Sequence, residues 1–222
     1  MFTVKNIISQ SFDRTGIFPN LSNPLPGEMA KMGLDLLKGI ISSMNTRNLL
    51  LWSQHKLKFT ANTEEIELDA DEIEVKIASI PAVYCNSKKQ ALEDVPFQVF
   101  DSYSDSDFVY NARQVSAEKW LLQIKRCCVN EELTVIYNEA LDCEMNTEYY
   151  APDEYQELLI LALMSKLLTV YVRSDGAMKE QVDRELNQIV DNIRSKQSNL
   201  KLIMNNRHSK STWSSFISGD FL

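Results

Sequence analysis

The amino-acid sequence predicts an α+β fold, with helices at both ends of the chain and a small antiparallel sheet between them. Apolar residues recur at helical spacing before residue 55 and again after residue 150. Runs rich in aromatic and β-branched residues occupy the middle of the chain, and short polar turns separate them. With 222 residues, the chain is long enough for one large domain or two small ones with a substantial core.

The first helix is predicted over residues 3–14. Thr3 is a suitable N-cap, because its hydroxyl can accept a hydrogen bond from a free backbone amide in the first turn. Gly16 can adopt the left-handed conformation in which many helices end. The loop that follows, residues 17–27, contains three prolines and fits no regular element.

A second helix is predicted to begin near Pro26 or Gly27, and its apolar residues keep helical spacing up to residue 44. Gly33 and Gly39 weaken this helix, and they therefore suggest close packing against a neighbouring element. The stretch 48–55 is expected to add another turn or a short helix.

The hydrophobic period changes between residues 56 and 141. Runs at 97–100, 108–110, 120–124 and 133–137 have the composition of β-strands, and together they predict a small antiparallel sheet. Residues 101–107 are polar and are expected to form a hairpin tip. Cys127 and Cys128 are adjacent, and a strand there would point their side chains to opposite faces.

Two antiparallel helices are predicted after residue 150. Pro152 suits the first turn of a helix, and residues 158–171 are apolar on nearly every face, so this helix is expected to be central. It is too short and too interrupted by Lys166 to span a bilayer. The last helix, about 178–194, is expected to pack on it through one apolar stripe: Met178, Val182, Leu186, Ile189, Val190 and Ile193.

Composition argues against several classes of function. The 23 basic and 31 acidic residues give a net charge of -8, whereas a protein whose main task is to grip nucleic acid is usually basic. The four cysteines form no C-x-x-C pair and only two histidines are present, so a structural zinc site is not expected. We expect the cysteines to be reduced, as in a protein made in a cytosol.

The chain contains no recognisable sequence motif for catalysis or for nucleotide binding. His55 and His208 are expected to be surface residues. The acidic run 64–72 lacks the order and the glycine of an EF-hand loop, so it predicts a solvated strand edge whose charges discourage unwanted pairing. We therefore expect no catalytic residue, no metal and no cofactor.

Taken in order, these segments resemble one family, the head-to-tail adaptor proteins of short-tailed bacteriophages, also called packaged-DNA-stabilisation or head-completion proteins. The first helix ends in Gly16, and the second leads to Trp52. Pro81-Ala-Val-Tyr84 resembles a family stretch that runs from a proline to a tyrosine, and a later strand ends in Tyr137. An apolar helix introduced by Pro152, an amphipathic helix and a C-terminal arm complete the likeness.

The resemblance implies an up-down helical bundle, residues 1–55 and 145–204, with an inserted small antiparallel β excursion, residues 56–144. An extended C-terminal docking arm, residues 205–222, would follow. Larger members of the family carry a proline-containing turn between the last two strands, where this chain has the sequence Arg-Cys-Cys-Val at 126–129.

The resemblance also implies a structural, non-enzymatic role at the head–tail junction of a virion, after synthesis and assembly in the host cytoplasm. Copies would form a ring, normally of twelve, below the portal protein. The ring would extend the DNA channel, help to retain packaged DNA and offer a docking surface to a tail nozzle or tail tube protein. Genomic DNA would pass through the lumen without specific binding, and no membrane would be involved.

Two groups of contact residues follow from this expectation. The arm would bind the portal through large apolar anchors: Trp213, Phe216, Ile217, Phe221 and Leu222. Aromatic residues of the β excursion are too numerous for so small a sheet to bury alone, and they would contact ring neighbours or the tail: Phe97, Phe100, Phe108, Tyr110 and Trp120.

Two alternatives stay open from the residues. One is a hydrolase of cell-wall glycan, which needs two carboxyl groups about 5–10 Å apart in a cleft. The other is a stopper or tail-completion protein at a neighbouring position of the same connector. The many acidic residues of the chain show no sequence sign of a catalytic pair.

Overall fold

A computed structural model describes residues 1–17, 25–116, 118–171 and 176–205, with the side chains at 71, 72 and 197–205 left aside. Four long helices form what we call the helical unit: α1 (Val4–Arg14), α2 (Gly27–Thr46), α5 (Asp153–Tyr171) and α6 (Gly176–Asn205). A short antiparallel ladder of β1 (Phe2–Thr3) and β10 (Glu148–Tyr149) ties the N-terminus to the segment before α5.

The ends of α1 follow the sequence prediction. The Thr3 hydroxyl accepts a hydrogen bond of 3.1 Å from the amide of Asn6, which satisfies one of the free donors of the first turn. Gly16 has a φ of 68°, in the left-handed region that favours glycine. The predicted N-cap and the predicted helix end are both confirmed.

α2 packs on α1 at Gly33. A Cβ atom at Gly33 would lie 2.7 Å from Cγ2 of Ile8 and 3.1 Å from Cε2 of Phe12, so only glycine allows the observed approach. The predicted close packing is confirmed for Gly33. It is wrong for Gly39, where a Cβ atom would meet no heavy atom within 4 Å.

α5 is the centre of the helical unit, as predicted. Leu158, Leu159 and Leu163 are fully buried, and α5 contacts α1, α2 and α6. The apolar stripe of α6 packs on the same core, with Val182 and Ile193 buried. The predicted packing of the stripe within one subunit is confirmed, because those residues belong to the core that α5 builds.

The middle of the chain forms what we call the β unit, which contains two sheets of four strands. The first sheet has the strand order β2-β9-β4-β5, with these bounds: β2 (Gln54–Thr60), β4 (Ile77–Cys85), β5 (Gln90–Ala91) and β9 (Glu132–Glu139). The second has the order β3-β8-β7-β6, with these bounds: β3 (Glu65–Asp69), β6 (Glu93–Asp94), β7 (Val109–Gln114) and β8 (Lys119–Ile124). All neighbouring strands are antiparallel except β6 and β7. Two four-residue helices, α3 (Ala70–Ile73) and α4 (Phe97–Phe100), lie between strands.

The expected architecture, a helical bundle with a small β excursion, is therefore wrong. The fold is mixed α/β, and the two sheets enclose a core of their own that includes Leu122, Leu133 and Val135. In strand β2, apolar residues alternate with lysines. That alternation is what a strand with one buried face requires: Leu57 and Phe59 pack on the core, whereas Lys56 and Lys58 are exposed.

The interpretation of residues 97–100 as a strand is also wrong. Pro96, with a φ of -58°, precedes a single helical turn, and that turn buries Phe100 beside Val95 and Val109. A proline suits the start of a helix, and burial of one aromatic ring outweighs the strand propensity of the others.

A small polar network joins the two units. The Asn138 side-chain amide donates to Oδ1 of Asn48 at 2.7 Å and to Oγ of Ser79 at 2.8 Å. The Ser79 hydroxyl also lies 3.3 Å from the backbone oxygen of Asn45, at the end of α2. Asn138 is fully buried, so these hydrogen bonds fix how β9 and β4 sit against α2.

Candidate functional site

The two groups of predicted contact residues fall in different parts of the chain. The arm anchors lie outside the described residues: Trp213, Phe216, Ile217, Phe221 and Leu222. The same holds for His208. The aromatic residues of the β unit are described, and their burial decides which of them a partner could reach.

The β unit buries most of its aromatic rings. Tyr110 is 1% exposed, and its hydroxyl donates a 3.3 Å hydrogen bond to the backbone oxygen of Ile80. Trp120 is half-buried, and its indole N–H donates to the backbone oxygen of Ile77 at 3.0 Å. Phe100 is buried and Phe108 half-buried. The expectation that the sheet could not bury these rings does not hold, because Phe108, Tyr110 and Trp120 pack in the core between the two sheets and Phe100 packs in a small cluster with Val95 and Val109.

Phe97 is the exception, and it defines what we call the α4 patch: Phe97, Val99 and Arg113. Phe97 is 43% exposed, and Val99 is exposed to the same degree. The Arg113 guanidinium lies 4.3 Å from the centre of the Phe97 ring, a cation–π contact that holds the ring in place at the surface. Val115, 62% exposed, follows at the end of β7.

The strand beside the α4 patch has an open edge. β7 pairs with β8 along its length, but with β6 only at Val109 and Tyr110. Within the described part of the chain, its outer edge therefore has no strand partner from Ala112 to Gln114. Unpaired backbone groups of this kind can pair with an added strand.

Two further apolar patches lie on the helical unit. The α5 patch consists of Val170 and Tyr171 at the end of α5, both exposed, with the Tyr171 hydroxyl donating to Sδ of Met32 at 3.1 Å. The N-terminal patch consists of Met1 and Tyr150. Extending the β1–β10 register by one residue sets these two side chains opposite each other, and Tyr150 is 76% exposed.

The acidic run 64–72 forms a strand edge only in part, because residues 65–69 are the edge strand β3, whereas residues 70–73 form the helix α3. β3 is an edge strand of its sheet, and Glu64, Glu65 and Glu67 are exposed. Lys119, on the adjacent strand, pairs with Asp69 at 3.0 Å and lies 3.9 Å from Glu67.

The carboxyl groups and the histidine of the described residues bear on the hydrolase alternative. Burial raises the pKa of the Asp94 carboxyl. His55 lies in β2, half-buried, with Nε2 2.9 Å from Oε2 of Glu139. No three His, Cys, Asp or Glu side chains in the described ranges come together as a metal site would require.

Sequence reasoning missed a cleft between the two units. Its volume is about 470 Å³, and its walls come from α2, from β4 and from the segment after β9. Lys38 and Glu144 pair across its rim at 3.0 Å, and Asn45 lies in its wall. Asn45 is nearly fully buried and its Oδ1 has no hydrogen-bond partner in the described structure. No sequence pattern predicts this cleft, because the segments that form its walls lie far apart along the chain and come together only in the folded protein.

Comparison with protein-family models and with curated protein sequences finds no match for this chain. In the described residues, no helix has both the length and the apolar character needed to cross a membrane.

Proposed function

We propose that this chain is a structural head-to-tail adaptor of a bacteriophage virion. Copies form a ring under the portal protein, extend the DNA channel, help to retain packaged DNA and offer the tail a docking surface. Sequence segments that resemble the adaptor family in their order support this role, whereas the mixed α/β fold neither adds to that resemblance nor takes from it.

One structural observation carries the proposal furthest: exposed apolar residues are grouped on both units rather than scattered. The α4 patch lies on the β unit, and the α5 and N-terminal patches lie on the helical unit. A subunit of a ring needs separate surfaces for its two neighbours and for the proteins above and below it. Grouped exposed apolar side chains are the usual sign of such contacts.

The distribution of charge supports the same role. The net charge is -8, and the carboxylates of the β3 edge are exposed on one strand. Carboxylates that face a DNA channel repel the phosphate backbone, so the duplex slides without being held. A protein that binds DNA tightly would need the opposite charge.

The arm, residues 205–222, is the proposed portal-binding element. Its five large apolar side chains follow a polar stretch and are interrupted by serine, glycine and aspartate, so they are too few to close a core of their own. Burial of one large apolar side chain stabilises a complex by roughly 1.5–3 kcal/mol, and several anchors offset the cost of ordering the arm. Repetition around a ring adds avidity.

The arm is tested by deletion of residues 207–222. We expect the truncated protein to keep the circular dichroism spectrum and melting temperature of the full chain, and to lose co-sedimentation with the portal protein encoded in the same genome. Co-sedimentation as tight as that of the full chain would show that the arm is not the anchor.

The α4 patch is tested by Phe97→Glu, with Gln90→Glu as a matched control. Both positions are exposed on the β unit, and both substitutions add one negative charge. We expect Phe97→Glu to reduce ring assembly or tail attachment at least tenfold in titration experiments, and Gln90→Glu to leave both unchanged. Equal behaviour of the two variants would remove this patch from the proposal.

A further inference from the structure

Three thiols meet where the second sheet ends. The short helical turn Arg126–Cys128 brings Sγ of Cys127 to 3.6 Å from Sγ of Cys128. Cys85, on β4, is buried in the same core and adds to the electrostatic surroundings of Cys128. The prediction that Cys127 and Cys128 point to opposite faces of a strand is therefore wrong, because the chain makes a turn at this point and both side chains fall on the same side.

The three thiols differ in their access to solvent. Cys85 and Cys128 are fully buried in the core of the β unit, whereas Cys127 is half-buried at its surface. A small oxidant in solution therefore reaches Cys127 first. Burial, followed by the hydrogen bond with Cys127, raises the pKa of Cys128, so Cys128 reacts with peroxide more slowly than its more exposed neighbour does.

We propose that Cys127 and Cys128 form an oxidation site that closes into a disulfide between adjacent residues when the protein meets a peroxide. In the first step, the sulfur of Cys127 takes one oxygen from hydrogen peroxide, giving a sulfenic acid and one water. In the second, the sulfur of Cys128 bonds to the sulfur of Cys127. The hydroxyl of the sulfenic acid leaves with the thiol proton of Cys128 as a second water. Two thiols lose two electrons, and one peroxide is reduced to two waters.

The product is a strained disulfide that thiols reduce readily. Closure must shorten the sulfur–sulfur distance from 3.6 Å to the bonding distance of about 2.05 Å. Consecutive Cα atoms stand about 3.8 Å apart, below the usual range of about 4.4–6.8 Å for a disulfide. Strained disulfides have higher reduction potentials than structural ones, so the closed form is reversible.

Closure alters the segment that follows α4. The Cys127 thiol donates a hydrogen bond to the backbone oxygen of Asp107 at 3.3 Å, and its amide donates to the backbone oxygen of Asp105 at 2.9 Å. A disulfide has no thiol hydrogen to donate, so the contact with Asp107 is lost. The loop 101–107, between α4 and β7, is expected to loosen on oxidation.

The experiment treats the full-length protein with hydrogen peroxide, blocks the remaining thiols with N-ethylmaleimide after denaturation, and maps the peptides by mass spectrometry. We expect the peptide with Cys127 and Cys128 to carry no label and to lose about 2 Da, the mass of two hydrogen atoms. Dithiothreitol should restore both labels. Cys143, buried in the helical unit, is the internal control and should stay a labelled thiol.

Two substitutions test which cysteines take part in the disulfide. Cys127→Ser should abolish the loss of 2 Da and leave Cys128 labelled. Cys85→Ala should leave the closure intact, because Cys85 takes no part in it. Hydrogen exchange of residues 101–107 should accelerate at least several-fold after oxidation and recover after reduction. Labelling of both adjacent cysteines after peroxide, a bond from Cys128 to Cys85, or a bond between two chains would each overturn the proposal.

Discussion

At the scale of single residues, the approach of α1 and α2 depends on the absence of a side chain at one position. Gly33 lies so close to Ile8 and Phe12 that a methyl group added at this position would overlap with both side chains. Gly39 lies on the same helix and faces open space. Both glycines lie within the same helix, but only Gly33 contacts a neighbouring helix. Substitutions at the two positions therefore separate the effect of packing from the effect of helix propensity.

Gly33→Ala is expected to lower the free energy of unfolding by about 1–3 kcal/mol, because an overpacked contact must push Ile8 and Phe12 aside. Gly39→Ala is expected to raise it by about 0.5–1 kcal/mol, since alanine favours the helix and meets nothing. Urea unfolding of both variants checks this. Stabilisation by both substitutions would show that the two helices do not pack as described.

At the scale of elements, the contact of α5 with α6 holds the helical unit together. Val182 is buried in the core, and Asp183 beside it accepts hydrogen bonds from Ser165 of α5 at 2.6 Å and from Lys179 at 2.5 Å. These two hydrogen bonds lower the pKa of the Asp183 carboxyl, the one from Lys179 more than the one from Ser165. The interface thus combines an apolar stripe with a charged edge.

Val182→Asp is expected to lower the free energy of unfolding by at least about 3 kcal/mol, because it places an unpaired carboxylate in an apolar core. Gln188→Asp adds the same charge at an exposed position of α6, and its effect should stay within about 0.5 kcal/mol. Thermal melting of both variants provides the measurement. A Val182→Asp protein that melts like the wild type would place the stripe on the surface.

The elements also show how far the sequence alone can lead. The long helices were predictable, because Thr3, Gly16 and the apolar stripe of α6 are local signals that long-range contacts reinforce. Strands β8 and β9 were predictable from their composition. The division of the strands into two sheets was not predicted, because it depends on pairing between strands far apart along the chain. α4 was missed because burial of Phe100 outweighs a local preference for strand.

The candidate site was less predictable than the fold. The sequence identified Phe97 only as one of five aromatic residues. Its exposure depends on α4 turning it outward while the same turn buries Phe100. The cleft beside Asn45 and the thiol cluster had no sequence signal, since both arise where distant segments meet. Exposure and proximity are properties of the folded chain, and no local pattern encodes them.

At the scale of the whole molecule, both units bury tyrosine hydroxyls. Burial raises the pKa of Tyr155 from 10.0 to about 12 in the helical unit, and burial also raises the pKa of Tyr110 in the β unit. Above pH 10 the unfolded chain loses these protons before the folded protein does. The stability due to the neutral hydroxyls is therefore complete below pH 10 and is lost as the pH rises towards 12.

Tyr155→Phe tests this pH dependence, because it removes one of the tyrosine hydroxyls whose pKa is raised by burial. The wild type should lose up to about 2–3 kcal/mol of unfolding free energy at this residue between about pH 9 and about pH 12. The variant should decline less steeply over the same range. Urea midpoints measured at intervals across it give the comparison, and parallel declines would mean that Tyr155 is not buried as a neutral hydroxyl.

Negative-stain electron microscopy of the purified full-length protein, mixed with the portal protein of the same genome, is the most direct test of the proposed ring on a portal. We expect particles in which a second ring is stacked on the portal, with the same rotational symmetry and a continuous channel. A density that plugs the channel, or that attaches elsewhere on the connector, would indicate a stopper or tail-completion protein instead. Portal rings that stay bare at saturating concentrations of the chain would contradict the account.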